Sequence, residues 1–201
     1  AFAVVASIFI SDTKAQNVFQ ISEAELQVCR DENGTERAGD LDVLVLLDNS
    51  KSLSGKNNRG SDPNGRRFDA IDEFLENFSR TETSNKQKNF GLIAFGASAR
   101  NIIELGAINV ANVGEIKEKI KSEVPNSYVT QDNYTNYISA LDEAKRNFEK
   151  NDTNNKNCRI LIWFTDGVFD TNDSVKAEEI SSDVRKLQGA ICSKDGTASS
   201  F

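Results

Sequence analysis

Residues 41–52 read LDVLVLLDNSKS, an apolar run followed by a polar turn. The seven residues before Asp48 are almost continuously apolar, which is typical of a strand buried on both faces at the centre of a parallel sheet. The turn that follows carries Asp48, Ser50 and Ser52, a carboxylate and two hydroxyls at alternate positions. In an open α/β sheet, ligands bind at the carboxyl ends of the strands. Oxygen donors at that place suit Mg²⁺, Mn²⁺ or Ca²⁺.

Apolar strands and amphipathic helices alternate along the rest of the chain. This alternation predicts an α/β fold with a doubly wound, mostly parallel central sheet and helices on both faces. Asn112 is predicted to cap the second long helix. Residues 53–67 are predicted to form a long exposed loop, which either shapes ligand choice or is an idle surface insertion. The predicted strands are 41–48, 90–95, 102–105 and 159–165, and the predicted helices are 66–79, 112–125, 136–148 and 173–187.

Length and charge restrict the class of protein. The 201 residues are enough for one domain with a sizeable core. A net charge of −7 argues against a nucleic-acid partner, since phosphate binding needs a cationic surface, and it favours attraction of cations. The absence of His removes the commonest general base and the commonest transition-metal ligand.

The first ten residues, AFAVVASIFI, form an apolar stretch that is too short to span a bilayer as a helix. Thr13 and Ala15 follow it as an imperfect small-x-small cleavage site. We interpret residues 1–15 as the remnant of a signal peptide, which predicts an exported protein, secreted or on the cell surface. The alternative is a buried strand or short helix of the domain. No later segment is apolar enough to cross a membrane.

Three segments together resemble a known family. Asp48-x-Ser50-x-Ser52 resembles the metal-ion-dependent adhesion site of the von Willebrand factor type A domain family. Residues 135–141, TNYISAL, are similar to the threonine loop of that family, which runs into a helix. Residues 161–167, LIWFTDG, are similar to its second metal-side strand. The segments occur in the order of the family, and the resemblance implies a Rossmann-like domain.

The resemblance implies a role for five residues. Ser50 and Ser52 would ligate the cation directly, and Thr135 would do so directly or through water. Asp48 and Asp166 would lie behind them and accept hydrogen bonds from metal-bound waters and hydroxyls. Mg²⁺ is the implied ion, with Mn²⁺ or Ca²⁺ as alternatives. Because neutral hydroxyls leave the ion under-neutralised, an Asp or Glu carboxylate of a ligand protein would complete its coordination.

Structural interpretations of the same residues stay open. Ser50 or Ser52 could cap the next helix, and Thr135 could be the N-cap of the helix over 136–148. Asp166 and Gly167 could form a plain turn.

The resemblance also implies the domain bounds, and the predicted doubly wound sheet suggests a cysteine pairing. The domain would cover residues 41–192, after an N-terminal extension over 16–40 and before an insertion or linker at 193–201. The final strand and helix of the family would be absent, displaced past an insertion or truncated. In this fold Cys158 and Cys192 would lie at the same end of the sheet, so we expect a disulfide between them, with Cys29 unpaired or paired elsewhere. Three buried free thiols are the alternative.

Three functions are compatible with these features. The first is a non-enzymatic, metal-dependent adhesion module that belongs to a larger surface protein. The second is a structural or assembly domain of a surface fibre. The third, a Mg²⁺-dependent hydrolase, is disfavoured because the chain lacks a phosphate-binding loop, a His and an acid two residues after Asp48. A glycan on the sequon at Asn133 would crowd the metal, which favours a host that lacks this modification, such as a bacterium, or means that the site is unused.

Overall fold

The computed structural model describes residues 5–9, 39–54, 60–83, 86–125, 135–151 and 157–165. Five strands and four helices are described. In chain order they are β1 (Val5–Phe9), β2 (Leu41–Asp48), α1 (Lys51–Ser54), α2 (Arg66–Arg80), β3 (Lys88–Phe95), β4 (Ala99–Ala107), α3 (Val113–Glu123), α4 (Tyr137–Asn151) and β5 (Cys158–Thr165).

The strands form one sheet in the order β1-β5-β2-β3-β4. Every neighbouring pair is parallel except β3 and β4, which are antiparallel. Strand β2 lies in the middle, where Val43 is opposite Ile160 of β5 and Phe90 of β3. The predicted α/β fold is confirmed, with an antiparallel edge strand at β4 on an otherwise parallel sheet.

Strand β2 is buried on both faces, and this explains its continuous apolar sequence. On one face Val43, Val45 and Leu47 belong to a core that includes residues of α2 and α3. On the other face Leu44 and Leu46 pack in a core with residues of α4. All five side chains are 0% exposed. Burial of each of these side chains stabilises the fold by about 1.5–3 kcal/mol. Strand β2 is therefore a firmly packed support for the turn that follows it.

The predicted cap of α3 is wrong in its chemistry. Asn112 precedes the helix, but its side chain makes no capping hydrogen bond. Its Nδ2 donates instead to the carbonyl of Ala107 at 2.8 Å. The oxygen Oδ1 of Asn109 accepts from the backbone N–H of Ala111 at 2.8 Å and of Asn112 at 3.3 Å. Oδ1 of Asn112 accepts in turn from the backbone N–H of Asn109 at 2.9 Å, so the two asparagines together organise the turn before the helix.

The prediction that residues 53–67 form an exposed loop is wrong for three of the residues that the structure describes there, whereas Asn64 and Arg66 are exposed as predicted. Leu53 is 0% exposed, Asp62 3% and Arg67 6%. Asp62 and Arg67 form an ion pair, so charges that a local pattern assigns to the surface are buried against each other. This part of the chain is therefore packed against the domain.

The apolar N-terminal stretch contributes a strand to the sheet. Val5–Phe9 forms β1 at one edge, parallel to β5, with Val5 opposite Leu161. This is the alternative that the sequence left open for the segment, a strand of the domain, and the signal-peptide interpretation of residues 1–15 stays a prediction. Among the residues that the structure describes, no helix is both long and apolar enough to cross a membrane.

Several predictions fall outside the described residues. They concern most of the extension over 16–40, the helix over 173–187, the segment 193–201 and the side chain of Asp166. The sulfur of Cys158 is disulfide-bonded. Both candidate partners, Cys29 and Cys192, lie outside the described ranges, so the pairing with Cys192 stays a prediction.

Strands β3 and β4 approach closely at Gly91, and this contact is testable. A Cβ there would lie 2.8 Å from Cδ1 of Leu44 and 3.1 Å from the Cα of Leu105. Because that backbone cannot move aside, Gly91→Ala should lower the free energy of unfolding by about 1–3 kcal/mol. The measurement is urea denaturation followed by circular dichroism.

Gly114→Ala provides the matched control. No heavy atom lies within 4 Å of the Cβ that Gly114 would acquire in helix α3. Alanine there should raise the free energy of unfolding by up to about 1 kcal/mol. Equal effects of the two substitutions would contradict the packing described for Gly91.

Candidate metal centre

The turn after β2 holds its hydroxyls at a fixed spacing. The oxygen Oδ1 of Asp48 accepts a hydrogen bond from the backbone N–H of Ser50 at 2.9 Å. The hydroxyls of Ser50 and Ser52 are hydrogen-bonded to each other, with their oxygens 2.9 Å apart. The backbone N–H of Leu53 donates to the carbonyl of Ser50 at 3.3 Å as α1 begins. The carboxylate and both hydroxyls therefore lie on a single turn at the carboxyl end of the central strand.

A chain of hydroxyls connects this turn to two other elements. Oδ2 of Asp48 accepts from the hydroxyl of Thr165, the last residue of β5, at 2.9 Å. The same hydroxyl oxygen lies 2.8 Å from the hydroxyl of Tyr137, the first residue of α4. Since Thr165 has one hydroxyl proton and donates it to Asp48, Tyr137 must be the donor in the second bond. The buried carboxylate thus joins β2, β5 and α4.

The end of β3 anchors two more segments. The backbone N–H of Asn49 donates to the carbonyl of Phe95 at 2.7 Å, and that of Asn136 donates to the carbonyl of Gly96 at 2.6 Å. Consecutive carbonyls therefore hold the turn after Asp48 and the residue that follows Thr135. Thr135 itself is 2% exposed. The structure brings the Thr135 segment to the same edge of the sheet as the Ser50 turn.

The alternative that Thr135 is the N-cap of α4 is wrong. Oδ1 of Asn136 accepts from the backbone N–H of Ser139 at 3.0 Å, which is the pattern of an N-cap. The hydroxyl of Thr135 is thus not required to cap the helix. The backbone of Thr165 ends β5 beside Asp48, whereas Asp166 lies outside the described residues, and its place at the site stays a prediction.

Three aromatic rings, one of them that of Tyr137, pack against one another. The ring centroids of Tyr137 and Trp163 are 5.0 Å apart, those of Phe95 and Tyr137 5.5 Å, and those of Phe95 and Trp163 6.0 Å. Sequence reasoning missed Tyr137 and Thr165 as supporting residues, although both lie inside the two motifs that carry the resemblance. The chain contains one tryptophan, so its fluorescence reports on this part of the domain.

The donors of the site fit a small, hard cation. Within the described ranges, no group of three or more His, Cys, Asp or Glu side chains could hold a metal ion. The candidate donors that the structure places on one turn are the hydroxyls of Ser50 and Ser52. Adjacent ligands of an octahedral Mg²⁺, each about 2.1 Å from the ion, lie about 3.0 Å apart. The 2.9 Å between the hydroxyl oxygens of Ser50 and Ser52 matches this spacing. The pair could therefore serve as two adjacent ligands with little rearrangement.

The family of the chain follows from its sequence. Residues 43–168 match the family model of the von Willebrand factor type A domain. The match covers well over half of the 201 residues, and it includes every residue of the candidate site. The chain belongs to the von Willebrand factor type A domain family.

Solved structures agree with this assignment at the level of the fold. Proximal thread matrix protein 1 from the mussel byssus, in a second crystal form, superposes with a TM-score of 0.55 at 21% identity over 75% of this chain. The same protein with a zinc-occupied metal-ion-dependent adhesion site gives 0.53 at 20% identity, also over 75% of this chain. Both matches span 35% of the length of the mussel chain. No curated protein matches this sequence.

The hydroxyl chain behind Asp48 can be tested by shortening it from either end. Thr165→Val removes the hydrogen bond to Asp48 and the one from Tyr137, so it should lower the free energy of unfolding in EDTA by about 1–3 kcal/mol. Tyr137→Phe removes only the hydrogen bond to Thr165 and should lower it by about 0.5–1.5 kcal/mol. Thr81→Val, which removes an exposed hydrogen bond to the carbonyl of Asn77, is the control and should cost less than Thr165→Val. A larger loss for Tyr137→Phe than for Thr165→Val would contradict the chain.

Proposed function

We propose that this domain is a metal-dependent protein-binding module. The hydroxyls of Ser50, Ser52 and Thr135 hold a divalent cation at the carboxyl edge of the sheet. Asp48 and Asp166 lie behind them and accept hydrogen bonds from hydroxyls and metal-bound water. The observation that supports this proposal best is the pair of serine hydroxyls 2.9 Å apart beside a carboxylate that is 0% exposed. Mg²⁺ is the favoured ion, with Mn²⁺ and Ca²⁺ as alternatives.

The chemistry of the donors favours an acidic ligand. Hydroxyls are neutral, and Asp48 already accepts hydrogen bonds from Ser50 and Thr165. The bound cation therefore keeps much of its positive charge and attracts an anionic oxygen. An Asp or Glu side chain of a partner protein supplies that oxygen as a further ligand. The cation then bridges the two proteins.

Family membership and the likeness to a byssus protein support a non-enzymatic role outside the cell. We propose that the chain is secreted or displayed on the cell surface as part of a larger polypeptide. A structural role in a surface fibre is the second candidate, and the likeness to a thread matrix protein favours it. The two carboxylate oxygens of Asp48 are engaged by hydrogen-bond donors, so this group is suited to holding the site in place and poorly suited to acting as a base.

Direct titration with Mn²⁺ tests the site. Mn²⁺ binding, followed by electron paramagnetic resonance and by Trp163 fluorescence, should weaken at least about tenfold in Ser50→Ala and in Ser52→Ala, since each loses a ligand. Ser122→Ala, on the exposed side of α3, is the matched control and should leave the affinity unchanged. Wild-type protein that binds no Mn²⁺, or serine variants that bind it as tightly as wild type, would contradict the proposal.

A pair of peptides tests the bridging step. A peptide with a single Glu should alter the Mn²⁺ resonance of the loaded domain, whereas the same peptide with Gln should not, because only the carboxylate binds the cation strongly. EDTA should abolish the difference. If the domain is instead structural, EDTA should lower its melting temperature, and neither peptide should alter the resonance.

A further inference from the structure

The residue between Asp48 and Ser50 forms hydrogen bonds with two distant parts of the chain. Asn49 is 3% exposed. Its Nδ2 donates to the carbonyl of Val124, just after α3, at 2.8 Å. Its Oδ1 accepts from Nη2 of Arg67, in the first turn of α2, at 3.2 Å. One amide therefore ties the turn that carries the serine hydroxyls to two helices.

Arg67 is itself fixed by a buried ion pair. Its Nη1 lies 2.7 Å from Oδ2 of Asp62, and the two side chains are 7% and 1% exposed. Asp62 also accepts from the backbone N–H groups of Arg66 at 2.7 Å and Arg67 at 3.2 Å. A buried pair is costly to desolvate and is weak evidence for stability, but removal of one partner would leave the other charge buried and uncompensated.

Backbone hydrogen bonds close the path back to the serine turn. The N–H of Asp62 donates to the carbonyl of Leu53 at 2.8 Å, and the N–H of Ser61 donates to the carbonyl of Ser52 at 3.0 Å. Contacts therefore lead from Asn49 through Arg67 and Asp62 to Leu53, and the backbone from Asn49 to Leu53 closes them into a ring. Ser50 and Ser52 lie on that backbone segment.

The second anchor of Asn49 is also held in place. Helix α3 is joined to α2 by two ion pairs, Lys117 with Glu76 at 3.0 Å and Lys121 with Asp72 at 2.5 Å. Lys117 lowers the pKa of Glu76, and Asp72 raises the pKa of Lys121, as expected of charged partners. The carbonyl that accepts from Asn49 thus follows a helix that is fixed to the one bearing Arg67.

We infer that Asn49 and Arg67 are positioning residues that set the spacing of the Ser50 and Ser52 hydroxyls before a cation binds. This inference rests on the proposed function. Neither side chain is proposed as a metal ligand, because the polar groups of both already form the hydrogen bonds and the ion pair of this ring. Groups that orient metal ligands typically contribute 10- to 100-fold to metal affinity, which is about the effect expected here.

The two side chains are chemically specific. At residue 49 a donor and an acceptor are needed at once, and an amide of this length provides both. At residue 67 the planar guanidinium reaches Asp62 and Asn49 with two different nitrogens. A lysine ammonium is a single point of charge and cannot reproduce that fork. Asn49→Ala and Arg67→Lys therefore break the ring at different points.

The experiment compares three variants by Mn²⁺ titration, with electron paramagnetic resonance and Trp163 fluorescence as readouts. Asn49→Ala and Arg67→Lys should each bind Mn²⁺ at least about tenfold more weakly than wild type. Asn89→Ala is the matched control. Asn89 is 8% exposed, and its Nδ2 donates to Asp42 at 2.7 Å at the opposite end of the sheet. This variant should lose stability and keep the wild-type affinity for Mn²⁺.

The outcomes separate the inference from the proposed function. Wild-type affinity in both Asn49→Ala and Arg67→Lys would overturn the inference and leave the proposed function intact. Equal weakening by Asn89→Ala would overturn it as well, since general destabilisation would then explain the effect. If the wild-type protein binds no Mn²⁺, the proposed function fails and the inference fails with it. Should Asn49→Ala not fold, judged by circular dichroism, Arg67→Lys decides alone.

Discussion

The carboxylate of Asp48 is the constraint on which the rest of the site depends. It is 0% exposed at the end of the central strand, where an ionised group is tolerated only if hydrogen-bond donors surround it. The backbone N–H of Ser50 and the hydroxyl of Thr165 are two of those donors. The first fixes the shape of the turn, and the second requires β5 to end beside β2. The hydrogen bonds of the Asp48 carboxylate thus position two of the three segments of the candidate site, the serine turn and the end of β5.

The sheet makes this arrangement possible because β2 is covered on both faces. Strands β3 and β5 flank β2 in parallel register, so all three end at one edge. The turn after β2 and the start of α4 are then held by consecutive carbonyls at the end of β3. A site built from short loops can be precise here because the turn after β2 begins at the end of a buried strand and the backbone of Asn136 is held by the carbonyl of Gly96.

The sequence predicted those features that depend on local pattern. The bounds of β2 and the helix over 66–79 follow from hydrophobic periodicity, and the structure gives Leu41–Asp48 and Arg66–Arg80. Burial of the Asp62–Arg67 pair could not be predicted, because it depends on a contact with Asn49 that is distant in sequence. Asn112 does precede the helix as predicted, but its side chain bonds to Asn109 and Ala107 and makes no capping hydrogen bond, which the sequence pattern could not show. The relation of Thr135 to the serine turn required the family resemblance, since spacing alone does not bring them together.

The most direct test of the account is a crystal structure of the domain grown or soaked with Mn²⁺, with data collected at the manganese absorption edge. One anomalous peak should lie within about 2.1–2.3 Å of the hydroxyl oxygens of Ser50 and Ser52, with Thr135 and Asp166 bordering the ion directly or through water. A manganese ion bound elsewhere, or Asp166 pointing away from the serine turn, would contradict it.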